Sequence, residues 1–315
     1  MTGVLHTGDA LTVLRTLPAA SVQCCVTSPP YWGLRDYGVE GQLGLEETPD
    51  AYVERLVGIF AEVRRVLRTD GTCWVNLGDS YARDARKGQH KPGDSGKQAG
   101  VYDRGGGRAS ATMDFTTSGF KPKDLIGIPW MVAFSLRKEG WYLRSDIVWA
   151  KPNVMPESVT DRPTKAHEYV FLLSKSERYF YDADAIREPH TMKPQKRISP
   201  IEERPKHGGR QAHTEAGYRT RAALGFDGHP LGRNARTVWS INTKAYKGAH
   251  FAVFPEELPR RCILAGSRPG DVVLDPFAGS GTTCAVAKSL GRNFLGIELN
   301  ETYTALAEKR IAESA

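Results

Sequence analysis

Two short stretches of this chain hold residue types that could do chemistry at their spacing. The first is Asp271 to Thr283, DVVLDPFAGSGTT. An apolar run ends in Asp275, a glycine turn follows, and a helix is expected from about Thr282. Gly279 and Gly281 can take a positive φ or let a ligand approach the backbone, and a helix N-terminus offers free N–H groups to a carboxylate or phosphate. A carboxylate at the carboxyl end of a strand repels phosphates and attracts an amine, so Asp275 favours a ligand with an ammonium group over a dinucleotide. About twenty residues on, Asn293 to Leu299 (NFLGIEL) reads as the next strand, and Glu298 at its end is placed for a ribose diol. A lone glycine turn would suit another nucleotide fold or a plain strand-to-helix connection equally well; Asp275 and Glu298 together narrow the choice.

The second stretch is Val26 to Gly33, VTSPPYWG. An apolar strand runs out into Ser28-Pro29-Pro30, and Pro30 holds Pro29 in an extended conformation. Neither proline has an N–H, so the carbonyls of Ser28 and Pro29 can point outward as fixed acceptors beside the rings of Tyr31 and Trp32. Such a site suits a planar ligand with an NH2 group. Taken alone, the same residues would also make a Pro-Pro turn with a hydrophobic anchor.

These motifs need a scaffold, and the chain between them supplies one. Val22 to Val26, Thr72 to Leu77, Ser145 to Trp149, Tyr169 to Leu173, Val272 to Leu274 and Phe294 to Ile297 are short runs rich in β-branched or aromatic residues, which predicts strands. Tyr52 to Leu67 places Val53, Leu56, Val57, Phe60, Val63 and Leu67 on one helical face behind a Pro49–Asp50 entry, and Asp124 to Lys138 and Thr282 to Leu290 read as helices too. Strands alternating with helices predict an α/β domain with a mainly parallel sheet.

Two basic segments interrupt that rhythm. Arg83 to Lys123 carries nine Lys/Arg against four Asp/Glu and eight glycines, and reads as a mobile loop; Arg187 to Gly248 carries thirteen against five and four of the eight histidines. The chain's net charge is +7 over 315 residues, so the remainder is acidic. Basic surface concentrated in two segments is what a polyanion-binding protein would show. At roughly 150 residues per domain the length allows two domains or one with insertions. No stretch approaches the ~20 apolar residues of a membrane helix, and the start lacks a signal-peptide pattern, so a cytoplasmic protein without membrane association is expected. Five cysteines, none in CxxC spacing, indicate buried thiols rather than disulfides, and no metal site is expected.

Together, TSPPYWG, HFAVFPEELPRRCI and DPFAGSGTT resemble the S-adenosylmethionine-dependent DNA amino-methyltransferases in the permuted β-type order, in which the catalytic motif precedes the cofactor motif. The resemblance implies that Ser28, Pro29, Pro30 and Tyr31 hold the target amine. It implies cofactor contacts from Asp275, Phe277, Gly279, Ser280, Gly281 and Thr282, and from Glu298 at the ribose. It further places Asp9 and Ala10 of Gly8-Asp9-Ala10 beside the adenine, with Phe251 and Pro255 packing around the cofactor. The implied fold is α/β, a Rossmann-like, seven-stranded, mostly parallel sheet of the class I methyltransferase type with an inserted DNA-recognition region. Residues 1–186 would then carry the catalytic part, with the basic loop 83–123; 187–248 would recognise the target, and 249–315 would complete the cofactor-binding part. In this order the strand ending at Asp275 must lie beside the strand ending at Ser28.

The reaction so implied is methyl transfer to an exocyclic amine of double-stranded DNA, with the base flipped out onto Tyr31. Cytosine N4 is favoured over adenine N6, because Ser-Pro-Pro resembles the N4-cytosine branch; a serine hydroxyl can also donate to cytosine N3 beside the amine, although adenine N1 offers a similar acceptor. RNA or protein-glutamine methylation, or a DNA-binding module with a vestigial cofactor site, are the competing readings. A homodimer and a companion restriction endonuclease are left open. Cys24 and Cys25 precede the prolines, whereas covalent attack on a pyrimidine would want a cysteine after them. Asp79 in NLGDSY could line the crevice or serve a turn.

Overall fold

In the computed structural model the described residues are 3–34, 36–82, 119–190, 229–243 and 254–314. Most of both basic segments, and Phe251, lie outside them. The chain divides into two compact units, Met1–Asp182 with Thr237–Ala315, and Ala183–Arg236.

The first unit is built on one sheet. Its strands are β1 (Val4–Thr7), β2 (Val22–Thr27), β3 (Leu67–Leu77), β4 (Tyr142–Ala150), β5 (His167–Ser174), β6 (Val238–Ser240), β7 (Val272–Asp275) and β8 (Asn293–Glu298). They lie in the order β1-β8-β7-β2-β3-β5-β4-β6. All pairings are parallel except those of β5, which runs antiparallel to both β3 and β4. The α/β, mostly parallel architecture expected from the sequence is present, with eight strands among the described residues rather than seven. The edge strand β6 is only three residues long, and tryptophans hold it in place. Trp239 is buried against Trp74, with ring centroids 6.4 Å apart, and the Trp149 indole N–H donates to the Ile241 carbonyl at 2.8 Å.

The adjacency that the motif order demands is met: Cys24 and Cys25 of β2 pair with Val273 and Leu274 of β7. Every residue of β2 is buried, so Cys24 and Cys25 are strand residues, and all five cysteines are free and buried. Two covered faces explain why β2 reads as a continuous apolar run rather than an alternating one.

Among the described residues six helices flank the sheet: α1 (Ala10–Thr16), α2 (Pro49–Val66), α3 (Ile128–Lys138), α4 (Glu257–Gly266), α5 (Thr282–Ser289) and α6 (Glu301–Glu313). Helix α2 starts where Thr48 caps it by accepting from the Ala51 N–H, with Pro49 in the first turn. Its Leu56, Phe60 and Val63 are fully buried, each worth about 1.5–3 kcal/mol of removed apolar surface. Helix α3 begins later than the sequence suggests, at Ile128, because the Asp79 carboxylate accepts from the N–H groups of Gly127 and Ile128 and fixes the start. The turn role of Asp79 is therefore the one observed.

In the second unit the described residues form a one-turn 3-10 helix, Asp184–Ile186, and an antiparallel bridge between Glu188 and Arg233. Glu188 also pairs with the guanidinium groups of Arg233 and Arg236.

Candidate active site

The carboxyl ends of the parallel strands open on one side of the sheet, where α/β folds place their ligands. On β7 the chain runs into Asp275, which is 2% exposed. Its Oδ1 accepts from the Thr27 hydroxyl at 2.6 Å and from the Phe277 N–H at 3.1 Å. Burial pushes the carboxyl up to about 6, against the opposing hydrogen bonds from Thr27, Thr283 and the Phe277 backbone. This carboxylate thus stitches β2 to β7 and shapes the turn, besides presenting charge.

The turn that follows is held from the neighbouring strand. Ala278 N–H donates to the Ile297 carbonyl at 2.8 Å, and Gly279 N–H donates to Glu298 Oε2 at 2.8 Å. The other carboxylate oxygen of Glu298 accepts from the Asn300 N–H at 2.9 Å. Burial raises the Glu298 carboxyl above its ordinary range, and the backbone bonds partly offset it. Gly279 and Gly281 have φ of 52° and 74°, the left-handed region that glycine tolerates. At Gly281 a side chain would also collide with α6, since a Cβ there would sit 2.8 Å from the Ala307 Cβ. Its glycine is required by helix packing. Ser280 and Thr282 are buried, and their hydroxyls accept from Arg310 of α6 at 3.2 and 2.7 Å. From β1, Gly8 N–H donates to the Glu298 carbonyl at 2.8 Å, which sets Gly8-Asp9-Ala10 beside this acid. Asp9 caps α1, accepting from the backbone and hydroxyl of Thr12, both at 2.8 Å.

At the end of β2, the half-buried Ser28 begins the second group. The Pro30 carbonyl is taken by the Tyr52 hydroxyl at 2.8 Å. Tyr31 donates its hydroxyl to Glu168 Oε2 at 2.8 Å, with Asn76 Oδ1 at 3.3 Å, and the Ser28 hydroxyl faces Tyr31 Oη at 3.5 Å. Burial, and then the Glu168 charge, push the Tyr31 phenol well above its usual value. Asn76 Nδ2 donates to the same Glu168 oxygen at 3.0 Å and to the Tyr169 carbonyl at 3.1 Å. Lys151 pairs with the other oxygen of Glu168, and its ammonium lies 4.4 Å from the Trp149 ring centroid. Trp32, expected beside these acceptors, turns into the core instead; it is 2% exposed and its indole donates to the Glu46 carbonyl at 2.8 Å.

One cavity of about 410 Å³ joins the two groups, within the ~300–1,000 Å³ of small-molecule sites. Ser28, Pro29, Pro30 and Tyr31 line it, as do Asp9, Ala10, Asp275, Phe277, Gly279, Ser280, Thr282 and Glu298. Gly281 and Pro255 are not among its walls. Gly281 faces α6, and Pro255 is buried with its carbonyl accepting from the Leu258 N–H at the head of α4; Phe254 lines the cavity in its place. Sequence reasoning missed Asn76, Lys151 and Glu168. Asn76 and Lys151 follow the strand-end rule, sitting near the end of β3 and just past β4. Glu168 breaks it, because β5 runs backwards and brings its start to the same edge.

The family model for DNA methylases of the N6/N4 type matches residues 22–309. The Type II methyltransferase M.Cfr9I of Citrobacter freundii is 50% identical over 307 residues, covering 98% of this chain and 87% of that relative. M.SmaI of Serratia marcescens is 47% identical over 304 residues, covering 96% and 89%. Among solved structures, a putative DNA modification methylase from Thermus thermophilus, in complex with S-adenosyl-L-methionine, superimposes with a TM-score of 0.59 at 26% identity, covering 99% of this chain and 94% of that one. The PvuII DNA methyltransferase, described as cytosine-N4-specific, shares the fold with a TM-score of 0.63 at 20% identity, covering 98% and 86%. With a family model spanning most of its length, and both motif groups facing one cavity, this chain belongs to the N6/N4 DNA methylases, the S-adenosylmethionine-dependent DNA methyltransferases.

Proposed function

We propose that the protein methylates the exocyclic N4 amine of cytosine within a specific site in double-stranded DNA. The observation that carries this reading is the shared cavity, in which the Ser28–Tyr31 group faces the Asp275 and Glu298 carboxylates across one space.

The donor set fits S-adenosylmethionine. Glu298 offers a carboxylate for a ribose diol, Asp275 a negative charge for an ammonium, and Phe277 and Ile297 apolar walls for a purine. When bound, the cofactor supplies a methyl group activated on a sulfonium. The chain's own residues then do two things. Ser28 Oγ and the Pro29 carbonyl accept the two amine hydrogens and turn the nitrogen lone pair into the cavity. Tyr31 presents its ring to the flipped base, while Glu168 and Asn76 fix that ring's hydroxyl. No covalent enzyme intermediate is needed, since the cysteines are buried within strands and helices.

Two features support cytosine. Position 28 is serine, as in the N4-cytosine branch that the motif resembles. Lys151 also lines the cavity, and its ammonium carries N–H groups beyond the one given to Glu168. Cytosine presents N3 and O2 as adjacent acceptors beside its amine, whereas adenine follows N1 with a C–H. The Ser28 hydroxyl lies 3.5 Å from Tyr31 Oη, and in this reading Lys151 supplies the donor to the ring. The segment Arg187–Gly248 would carry sequence choice through arginine contacts to guanine edges and phosphates, and a Type II endonuclease of the same site specificity would be its companion. Nucleoside mass spectrometry of DNA treated with enzyme and cofactor tests the product. N4-methylcytosine is expected, and N6-methyladenine alone would overturn the assignment.

A further inference from the structure

Amine methylation leaves a proton to dispose of. As the N–CH3 bond forms and the methyl–sulfur bond breaks, with its electron pair left on sulfur, the amine nitrogen becomes cationic and must lose one N–H proton. Around the Tyr31 hydroxyl stand the Glu168 carboxylate at 2.8 Å, the Asn76 amide oxygen at 3.3 Å and the Ser28 hydroxyl at 3.5 Å. The Ser28 hydroxyl lies 3.5 Å from Tyr31 Oη, and the Tyr31 hydroxyl donates to Glu168 Oε2 at 2.8 Å. These three oxygens form a chain that ends on an acid.

We infer that Glu168 is the terminal proton acceptor of a hydroxyl relay that starts at Ser28. The amine passes a proton to Ser28 Oγ as the serine proton moves to Tyr31 Oη and the tyrosine proton moves to Glu168 Oε2, so that one carboxylate becomes a carboxylic acid and each hydroxyl is restored. The Tyr31 phenol stays neutral, held high by burial and by Glu168, as a hydroxyl that must both give and take a proton requires. Asn76 cannot replace the acid: its Nδ2 donates to Glu168 and to the Tyr169 carbonyl, and an amide oxygen does not take up a proton at neutral pH. Lys151 on the second oxygen fixes the carboxylate in place and balances its charge, leaving Oε2 turned to Tyr31. Glu168 acts through Tyr31 and thus positions as well as accepts. The relay rests on the amine-methylation reading but not on which amine is the target, so product identity and relay can fail separately.

The test is single-turnover methyl incorporation into unmodified bacterial genomic DNA, at saturating S-adenosylmethionine, with the folded full chain. General-base contributions of about 10²–10⁴ are typical; Tyr31→Phe and Glu168→Gln are each expected to slow the step tenfold or more, with cofactor KM changed less than threefold. The double variant should be no slower than the slower single variant, because the two residues form one path. Glu168→Asp, which keeps a carboxylate, should retain more rate than the closer isostere Glu168→Gln. A wild-type rate in Tyr31→Phe, effects that multiply in the double variant, or Gln outperforming Asp would each overturn the relay. If Glu168→Gln does not fold, Tyr31→Phe decides alone: a tenfold loss supports the relay and an unchanged rate sinks it. Mass spectrometry of the wild-type product tests the base assignment independently.

Discussion

Replacing Glu298 with alanine should separate cofactor binding from DNA binding. Both carboxylate oxygens already accept a backbone N–H, Gly279 at 2.8 Å and Asn300 at 2.9 Å, so the acid is held rigidly with its remaining lone pairs turned to the cavity. A ribose diol would add two charge-assisted hydrogen bonds of roughly 1.5–3 kcal/mol each. Water recovers part of that loss, and a net cost of about 2–4 kcal/mol corresponds to roughly 30- to 1,000-fold in affinity. Isothermal titration with S-adenosylmethionine, and fluorescence anisotropy with duplex DNA, read the two affinities. Cofactor Kd should rise within that range while DNA Kd stays within about threefold. The two orphaned N–H groups belong to Gly279 and Asn300, which line the cavity and are only half-buried, so the loss of folding stability should be only about 1 kcal/mol. A folded Glu298→Ala variant with unchanged cofactor affinity would refute the ribose assignment. Glu298→Gln should lie between: an amide keeps one acceptor oxygen but turns its NH2 towards one of the two N–H groups.

Asp275→Asn should raise the stability of the cofactor-free protein above pH 6, because a carboxyl whose folded pKa is about 6 against an ordinary 3.8 favours folding below pH 3.8 and loses that contribution as pH rises through 6. The gain is on the order of 3 kcal/mol at pH 8 and vanishes towards pH 4 in paired thermal melts; equal stabilities at both pH values would contradict it. Cofactor affinity in the same variant should fall, and titrations from pH 7 to pH 5 should lose the part of their pH dependence that Asp275 supplies. Gly281→Ala should destabilise the fold by about 2–4 kcal/mol, combining a left-handed φ of 74° with the Ala307 clash, seen as a lowered urea midpoint. Tyr52→Phe should cost about 1–2 kcal/mol, since the fully buried Tyr52 hydroxyl is what satisfies the Pro30 carbonyl. Gly78→Ala should lower the methylation rate more than the stability, because its Cβ would lie 2.6 Å from the Tyr31 ring; a wild-type rate in chemical-quench assays would argue against that contact mattering.

The strands with the strongest apolar runs, the glycine turn after Asp275 and the Ser-Pro-Pro-Tyr motif are legible in the chain before it folds, because each depends on local pattern: alternating elements, glycine at positive φ, and prolines without N–H groups. The motif order also required β2 and β7 to be neighbours, which their register and the Thr27–Asp275 hydrogen bond satisfy. The edge strands β1 and β6 were not legible. The run VLHT of β1 is broken by polar residues, unlike the equally short VVLD of β7, and buried tryptophans from elsewhere in the chain decide β6.

At the site, the residue types were legible but their partners were not. Gly281 reads from its motif as making room for a ligand, yet its missing side chain makes room for Ala307, far along the chain on α6. Asp275 reads as a charge for a ligand, and only the packing of β2 against β7 shows it buried and bonded to Thr27. Glu168 carries no motif signal that separates it from any charged residue at the start of a strand. The antiparallel course of β5 brings it to the edge where every parallel strand ends, beside Tyr31, which precedes it by 137 positions. A direction of travel through the sheet is a property of the whole topology, and for that reason the acid beside Tyr31 appears only once the chain is folded.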